Sequence, residues 1–205
     1  MKKSKYHNHF YYLVVQNKMK SQSTEGILSP FLQKKRFIAI QRFLKKIKYQ
    51  KILDYGCGDG KLINFLKKNV KYTGLDINRE LIINNKKKYP KANFLSKLGN
   101  KKFDVIVLSA VIEHAPDPLK LLRSLKKNLN NKQSIIIITT PNKYFDIFHR
   151  IGSFFKIFSQ EAADEHNVMF SKRDIYIYAK QTSYEVVKFN YFLLYANQVA
   201  VLKSI

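Results

Sequence analysis

The 205-residue sequence predicts an α/β fold: a doubly wound, mostly parallel sheet of seven strands, with an antiparallel C-terminal strand, in a three-layer sandwich. Three observations carry this expectation. From Lys51 onward, short apolar runs alternate with helical stretches, as in a parallel sheet covered on both faces. One of those runs breaks into three glycines at alternate positions, Gly56, Gly58 and Gly60. The tail holds two strand-like runs joined by a short break, the pattern of an antiparallel pair.

The elements follow in order. Residues 1–26 are polar and Lys-rich without a long period, and read as a loosely ordered basic arm. Ser29 can cap a helix with Pro30 at its first position, and Phe37, Ile40, Phe43, Leu44 and Ile47 continue it at helical spacing. Strands are expected at Lys51–Tyr55, Tyr72–Asp76, Ala92–Leu95, Phe103–Ser109 and Ser134–Thr140. Helices are expected between them at Lys61–Lys68, Glu80–Lys88 and Pro118–Leu129. Crossovers of this kind are almost always right-handed, which leaves few topologies. The tail reads as a helix at Lys172–Gln181 and strands at Tyr184–Phe192 and Gln198–Lys203. With no repeat and no low-complexity linker, residues 27–205 read as one domain. Its parts are a helix over 27–49, a core over 50–142, a further region over 143–182 and the strand pair over 183–205.

Composition narrows the class. Hydrophobic residues are 45% and charged residues 25%, with 15 Phe and 13 Tyr, so a disordered or fibrous chain is excluded. The single cysteine, Cys57, excludes a disulfide framework and a site built on several thiolates, and no metal is expected. The net charge of +24 admits two readings: a footprint for a polyanion, or compositional drift. Of the 38 basic residues 32 are Lys, spread over almost every segment, which favours drift, since Arg is preferred where phosphate is gripped bidentately. No apolar run approaches the roughly 20 residues of a membrane-spanning helix, and the first 20 residues lack the small-residue cleavage site of a secretory signal. A cytoplasmic location is the expectation.

The informative stretch is Ile52-Leu53-Asp54-Tyr55-Gly56-Cys57-Gly58-Asp59-Gly60. Glycines after a buried strand permit tight turning and close approach of a ligand to the backbone. A helix starting there offers free amides to a carboxylate or phosphate. Sixteen residues past Gly60, the second strand ends in Asp76, where a carboxylate can accept both hydroxyls of a ribose. Spacing then separates the cofactors. The dinucleotide fingerprint is G-x-G-x-x-G, whereas this chain has Gly56-x-Gly58-x-Gly60 with Asp54 and Asp59 beside it. Two carboxylates repel a pyrophosphate and suit a ligand carrying an amino group or a sulfonium.

These residues resemble the class I S-adenosylmethionine-dependent methyltransferases, whose fold is Rossmann-like. The likeness runs from Leu53–Gly60 through Gly74-Leu75-Asp76-Ile77, Phe103-Asp104-Val105-Ile106 and Ser109-Ala110-Val111-Ile112-Glu113-His114 to Thr140-Pro141-Asn142. The flanks, Ser29–Arg36 and Glu165-His166 with Phe170, are similar to the small ubiquinone-biosynthesis-type group. The resemblance implies S-adenosyl-L-methionine as cofactor. It implies that Gly56, Cys57, Gly58 and Gly60 shape the pocket for the methionine moiety, with Asp54 tied to the amino group. Asp76 would hold the ribose, Ile77 would pack on adenine, and Ser109 and Ala110 would lie beside the sulfonium. The acidic residue that many relatives place after the third strand is absent, since the segment reads Phe94-Leu95-Ser96-Lys97-Leu98.

Methyl transfer is an in-line displacement, so positioning carries much of the catalysis, and an oxygen acceptor calls for a base. His114, beside Glu113, and His166 are the candidates, each with the alternative of a purely structural role. The stripe Phe145, Phe148, Ile151, Phe155 and Phe158 admits three readings: a helix packed on the sheet, a lid over the acceptor, or an interfacial helix on an anionic membrane. The acceptor is expected to be a small molecule (a sugar, lipid or quinone-like precursor) methylated on oxygen. The alternatives are an RNA acceptor, suggested by the charge, and a cofactor-binding module without turnover.

Overall fold

The computed structural model describes residues 29–145 and 169–205. Helix α1 (Ser29–Leu44) precedes strand β1 (Lys51–Tyr55), strand β2 (Lys71–Leu75), helix α2 (Arg79–Lys88) and strand β3 (Asn93–Leu95). Strand β4 (Val105–Ser109), helix α3 (Pro118–Leu125) and strand β5 (Ile135–Pro141) follow. Helix α4 (Lys172–Gln181) and strands β6 (Tyr184–Phe192) and β7 (Asn197–Ser204) complete the described chain. The seven strands lie in the order β3-β2-β1-β4-β5-β7-β6. Strands β1 to β5 are parallel, and β7 runs antiparallel between β5 and β6.

The three layers follow from strand alternation. Successive side chains point to opposite faces, so a run buried throughout feeds two cores. Leu53, Ile106, Leu108, Ile136, Ile138, Ala200 and Leu202 pack with Leu122 and Leu125 of α3 and Ile175 and Ala179 of α4. Their neighbours Ile52, Val105, Val107, Ile135, Ile137, Val199 and Val201 pack with Phe37, Ile40 and Leu44 of α1 and Ile82 of α2. Capping residues set the helix starts: Asn78 accepts from Glu80 and Leu81, Asp117 from Lys120, and Ser171 forms a capping box with Asp174.

Four expectations are corrected. Lys61–Lys68 is not an α-helix: only Lys61–Phe65 forms a 3₁₀ turn. The Gln41 side chain donates to the Phe65 carbonyl at 2.8 Å, and Leu66 is already extended, so the turn has no continuation. The expected helix through Leu129 ends at Leu125 and tightens to a 3₁₀ turn over Lys126–Asn128, where Asn128 donates to the carbonyls of Gly99 and Lys101. Ser29 lies inside α1 as its first residue rather than ahead of it. Phe103 forms only an isolated bridge with Leu129, which shortens β4 at its start. The arm over 1–26, the stripe from Phe148 to Phe158 and His166 lie outside the described residues.

Candidate functional site

Order reversal in the sheet places the site. β1 pairs with β2 on one side and β4 on the other, so the loops leaving their carboxyl ends flank one crevice. The loop after β1 is clamped by the Leu75 carbonyl, which accepts from the amides of Gly56 and Cys57 at 2.8 and 3.0 Å. Gly56, Gly58 and Gly60 all have positive φ, at 73°, 51° and 72°. They face different surroundings. A Cβ at Gly56 would sit 2.7 Å from Cγ2 of Val111, so this glycine lets the loop after β4 close against the loop after β1. A Cβ at Gly58 would meet nothing within 4 Å, which marks an open crevice in front of that backbone.

Asp76 follows β2 directly and is 2% exposed. Its Oδ2 accepts from the Gly58 amide and its Oδ1 from the Asn78 amide, both at 2.9 Å. The carboxylate is thus held in one orientation across the open backbone of Gly58. Burial raises its pKa, and the backbone donors at Asn78, Gly58 and Ile77 oppose that shift. Ile77 is half-buried beside it. Asp54, on β1 and also 2% exposed, accepts from the Tyr72 hydroxyl at 2.7 Å. Burial pushes its pKa up to about 7, with the Tyr72 hydrogen bond working against the shift and the charges of Asp76 and Asp59 adding to it. Asp59 turns outward to an ion pair with Lys61, leaving Asp54 and Asp76 as the buried acids of the crevice.

Two supports escaped the sequence reading. Tyr72 lies 18 residues from Asp54, and only the pairing of β1 with β2 joins them. Asn85 of α2 is buried and donates to the Gly58 carbonyl at 2.7 Å, fixing the loop from below. Its signal was a polar residue on the same helix face as Ile82, three positions away. Cys57 is buried, and its sulfur fills the space next to Gly74, where a Cβ would come within 2.8 Å of it. Burial, first, and the neighbouring acids raise its thiol pKa, so it acts as packing. The helix dipole expected behind Gly60 is missing, because a five-residue 3₁₀ turn stands there. The crevice therefore offers fixed acids and open backbone, which suit a cationic ligand with ribose hydroxyls and oppose a pyrophosphate.

Across the crevice, Ser109 ends β4 and accepts from Thr139 Oγ1 at 3.3 Å. Ala110 turns left-handed at φ 55°, its amide donating to the Thr139 carbonyl at 2.9 Å. Ile112–His114 form a 3₁₀ turn in which Glu113 is fully buried and His114 is half-buried. Neither carboxylate oxygen of Glu113 reaches hydrogen-bonding geometry with a partner. Burial raises the Glu113 pKa, and the charges of His114 and Arg36 oppose the shift. Arg36 of α1 donates to Asn197 Oδ1 at 3.2 Å. Thr140 Oγ1, which helps to lower the Glu113 pKa, and Gln198 Oε1, on residues paired across β5 and β7, are also buried outside close hydrogen-bond geometry. The carboxyl end of β5 and the amino end of β7 thus meet at buried polar atoms without full hydrogen-bond geometry, and beside β1 the Tyr89 hydroxyl near Gly60 is buried in the same way.

The methyltransferase domain family matches residues 31–188, well over half of the chain. The chain belongs to that family. This methyltransferase is 28% identical over 122 residues to the ubiquinone biosynthesis O-methyltransferase of Histophilus somni (strain 2336), a match covering 52% of this chain and 51% of the relative. It spans about half the length of that curated relative. Among solved structures, it superposes on the magnesium protoporphyrin IX methyltransferase of Synechocystis PCC 6803 with bound SAH. The TM-score is 0.66 at 14% identity, over 96% of this chain and 97% of that one. The plantazolicin methyltransferase in complex with SAH gives a TM-score of 0.64 at 18% identity, over 94% of this chain and 89% of that one. Both of these solved neighbours hold SAH.

Proposed function

We propose that this methyltransferase moves a methyl group from S-adenosylmethionine to a hydroxyl oxygen of a small-molecule acceptor, a sugar, lipid or quinone-like precursor. The observation that carries the reading is the division of the crevice. Acids held by short donors stand at the ends of β1 and β2, and the buried Glu113 carboxyl, with Thr140 beside it, stands past β4 without a close hydrogen bond. In this reading Asp76 accepts from the ribose hydroxyls with the lone pairs its backbone donors leave free, and Asp54 balances the amino group. Gly58 admits the ligand to the backbone, Gly56, Cys57 and Gly60 keep the loop's shape, and Ile77 covers the adenine. Ser109 and Ala110 border the reacting centre. When bound, S-adenosylmethionine supplies the methyl group, which the acceptor oxygen takes in line from sulfur. His166, or His114 in its place, takes the acceptor's proton.

An RNA acceptor is the second reading, favoured by the net charge of +24. The test is transfer of labelled methyl to the host's metabolite, lipid-linked and RNA fractions. Label in the small-molecule or lipid fraction supports the proposal. Label confined to RNA replaces it with the second reading, and binding of cofactor without any transfer reduces the chain to a binding module.

A further inference from the structure

The turn joining β6 to β7 carries a combination found at no other described position. Leu193, Leu194 and Tyr195 occupy the left-handed region in succession, at φ 53°, 51° and 67°. None is glycine, and each such residue carries backbone strain. The turn is nevertheless held: the Ala196 amide donates to the Leu193 carbonyl at 2.9 Å, and Asn142, just past β5, binds it twice. The Asn142 amide donates to the Ala196 carbonyl and the Asn142 Nδ2 to the Tyr195 carbonyl, both at 2.9 Å. The fixed turn holds out Leu194, 89% exposed, and Tyr195, 61% exposed. Large apolar side chains presented this way on a strained, anchored backbone point to a contact made outside the chain.

The surroundings define that contact. β6 is an edge strand, and Tyr195 opens a row of rings along it. Tyr195 meets Tyr191 at 5.0 Å, Tyr191 meets Phe189 at 5.0 Å, and Phe189 meets Tyr176 of α4 at 6.2 Å. Lys172 Nζ lies over the rings of Tyr176 and Phe189. Lys143 and Tyr144, both exposed, follow Asn142 directly. No carboxylate occurs between Val186 and Ile205. An aliphatic apex, tyrosines behind it and lysines around it match the depth profile of an anionic lipid surface: acyl chains, then interface, then headgroups. A nucleic acid would match flat exposed rings with arginines and would have no use for Leu194.

We propose that the β6–β7 turn is a lipid-contacting finger, inserting Leu194 and Tyr195 into an anionic bilayer while Lys143, Lys172 and Lys188 meet the headgroups. The finger stands at the carboxyl end of β5, the same end of the sheet as the candidate acceptor side, so docking brings the mouth of the crevice to the membrane. The proposal deepens the small-molecule reading by favouring an acceptor presented from lipid, yet its test reads binding alone and is independent of turnover.

The chain has no tryptophan, so Leu194→Trp is a single-site reporter in the full-length protein. Its emission is expected to shift to the blue with phosphatidylglycerol-containing vesicles and to be quenched by brominated acyl chains. The charge-neutral change Leu194→Ser, at the more exposed of the two side chains, is expected to weaken vesicle binding about tenfold, with cofactor affinity and thermal midpoint unchanged. Vesicle binding equal to the parent's would show that net charge alone acts and would overturn the finger. A lowered midpoint would mean that the chain itself covers these side chains. Selective loss of binding to single-stranded RNA would assign the surface to nucleic acid. Either of these last results also overturns the proposal.

Discussion

The two sides of the crevice are built on opposite plans. At the ends of β1 and β2 the buried acids are engaged: both oxygens of Asp76 accept backbone amides, Asp54 accepts from Tyr72, and Asn85 secures the Gly58 carbonyl. Where β5 ends and β7 begins, and on the turn after β4, Glu113 is buried with the Thr140 hydroxyl and the charges of His114 and Arg36 as its counterweights, none of them in close hydrogen-bond geometry. Each side carries a buried polar group short of hydrogen bonds, the Tyr89 hydroxyl beside Gly60 on the first and Gln198 Oε1 on the second, so the contrast lies in the carboxylates: Asp54 and Asp76 are held by short donors and Glu113 is not. The difference teaches that the cofactor side is preorganised for one ligand, while the acceptor side keeps polar capacity in reserve.

Substitutions on the two sides should therefore separate binding from turnover. The largest effect is expected for His166→Ala, which should lower turnover about a hundredfold or more while S-adenosylmethionine affinity by calorimetry stays the same. A parallel loss of affinity would make His166 structural and break the division. Next comes Asp76→Ala, expected to weaken cofactor binding by about 1–3 kcal/mol, since a buried charged acceptor is lost. Unchanged affinity would remove the ribose assignment.

The pH dependence of the cofactor side is expected to be about tenfold. Asp54 has its pKa raised to about 7. The folded protein thus holds a proton that the unfolded chain, with an aspartate pKa of about 4, has released. Its contribution to stability is present below about pH 4 and is lost as pH rises through about 7. The thermal midpoint of the cofactor-free protein should accordingly fall between pH 5 and pH 8. A cationic ligand favours the ionised form, so its affinity should rise roughly tenfold from pH 6 to pH 8, with proton release detectable in buffers of differing ionisation enthalpy. Asp104 and Asp174, whose pKa values are lowered despite partial burial by their hydrogen-bond donors, act with the opposite sign and only in more acidic solution. A flat profile would mean that the Asp54–Tyr72 pair does not sense the ligand.

The smallest effect is expected on the acceptor side. Thr140→Val keeps shape and removes the hydroxyl that helps to hold the Glu113 carboxyl down, so the cofactor-free protein should lose up to about 1 kcal/mol in urea unfolding while methyl transfer declines. Unchanged stability would show that the Thr140 hydroxyl does not support Glu113.

Much of this was legible in the residue order. The strand and helix alternation, the spacing of Gly56, Gly58 and Gly60, and the position of Asp76 are local patterns, and local backbone chemistry imposes them wherever they occur. The tail elements Lys172–Gln181 and Tyr184–Phe192 likewise match their expected bounds. The misreading at Lys61–Lys68 has a long-range cause, since Gln41 captures the Phe65 carbonyl from 24 residues away. His166 and most of the apolar stripe that begins at Phe145 lie outside the described residues, so their roles rest on the sequence.

By itself, the sequence determined the fold class and the glycine-and-acid pattern of the loop after β1, the pattern on which the family resemblance rests. Those depend on periodicity, on glycine at positions of positive φ and on the sign of nearby charges, all of which are local properties. Only the tertiary structure decided that Tyr72 serves Asp54, that Asn85 holds Gly58, that Glu113 is buried within reach of the charge on α1's Arg36, and that Leu194 stands in solvent beside the acceptor side. Strand order and burial bring distant residues together or leave them bare, and no short-range pattern encodes which of these will happen.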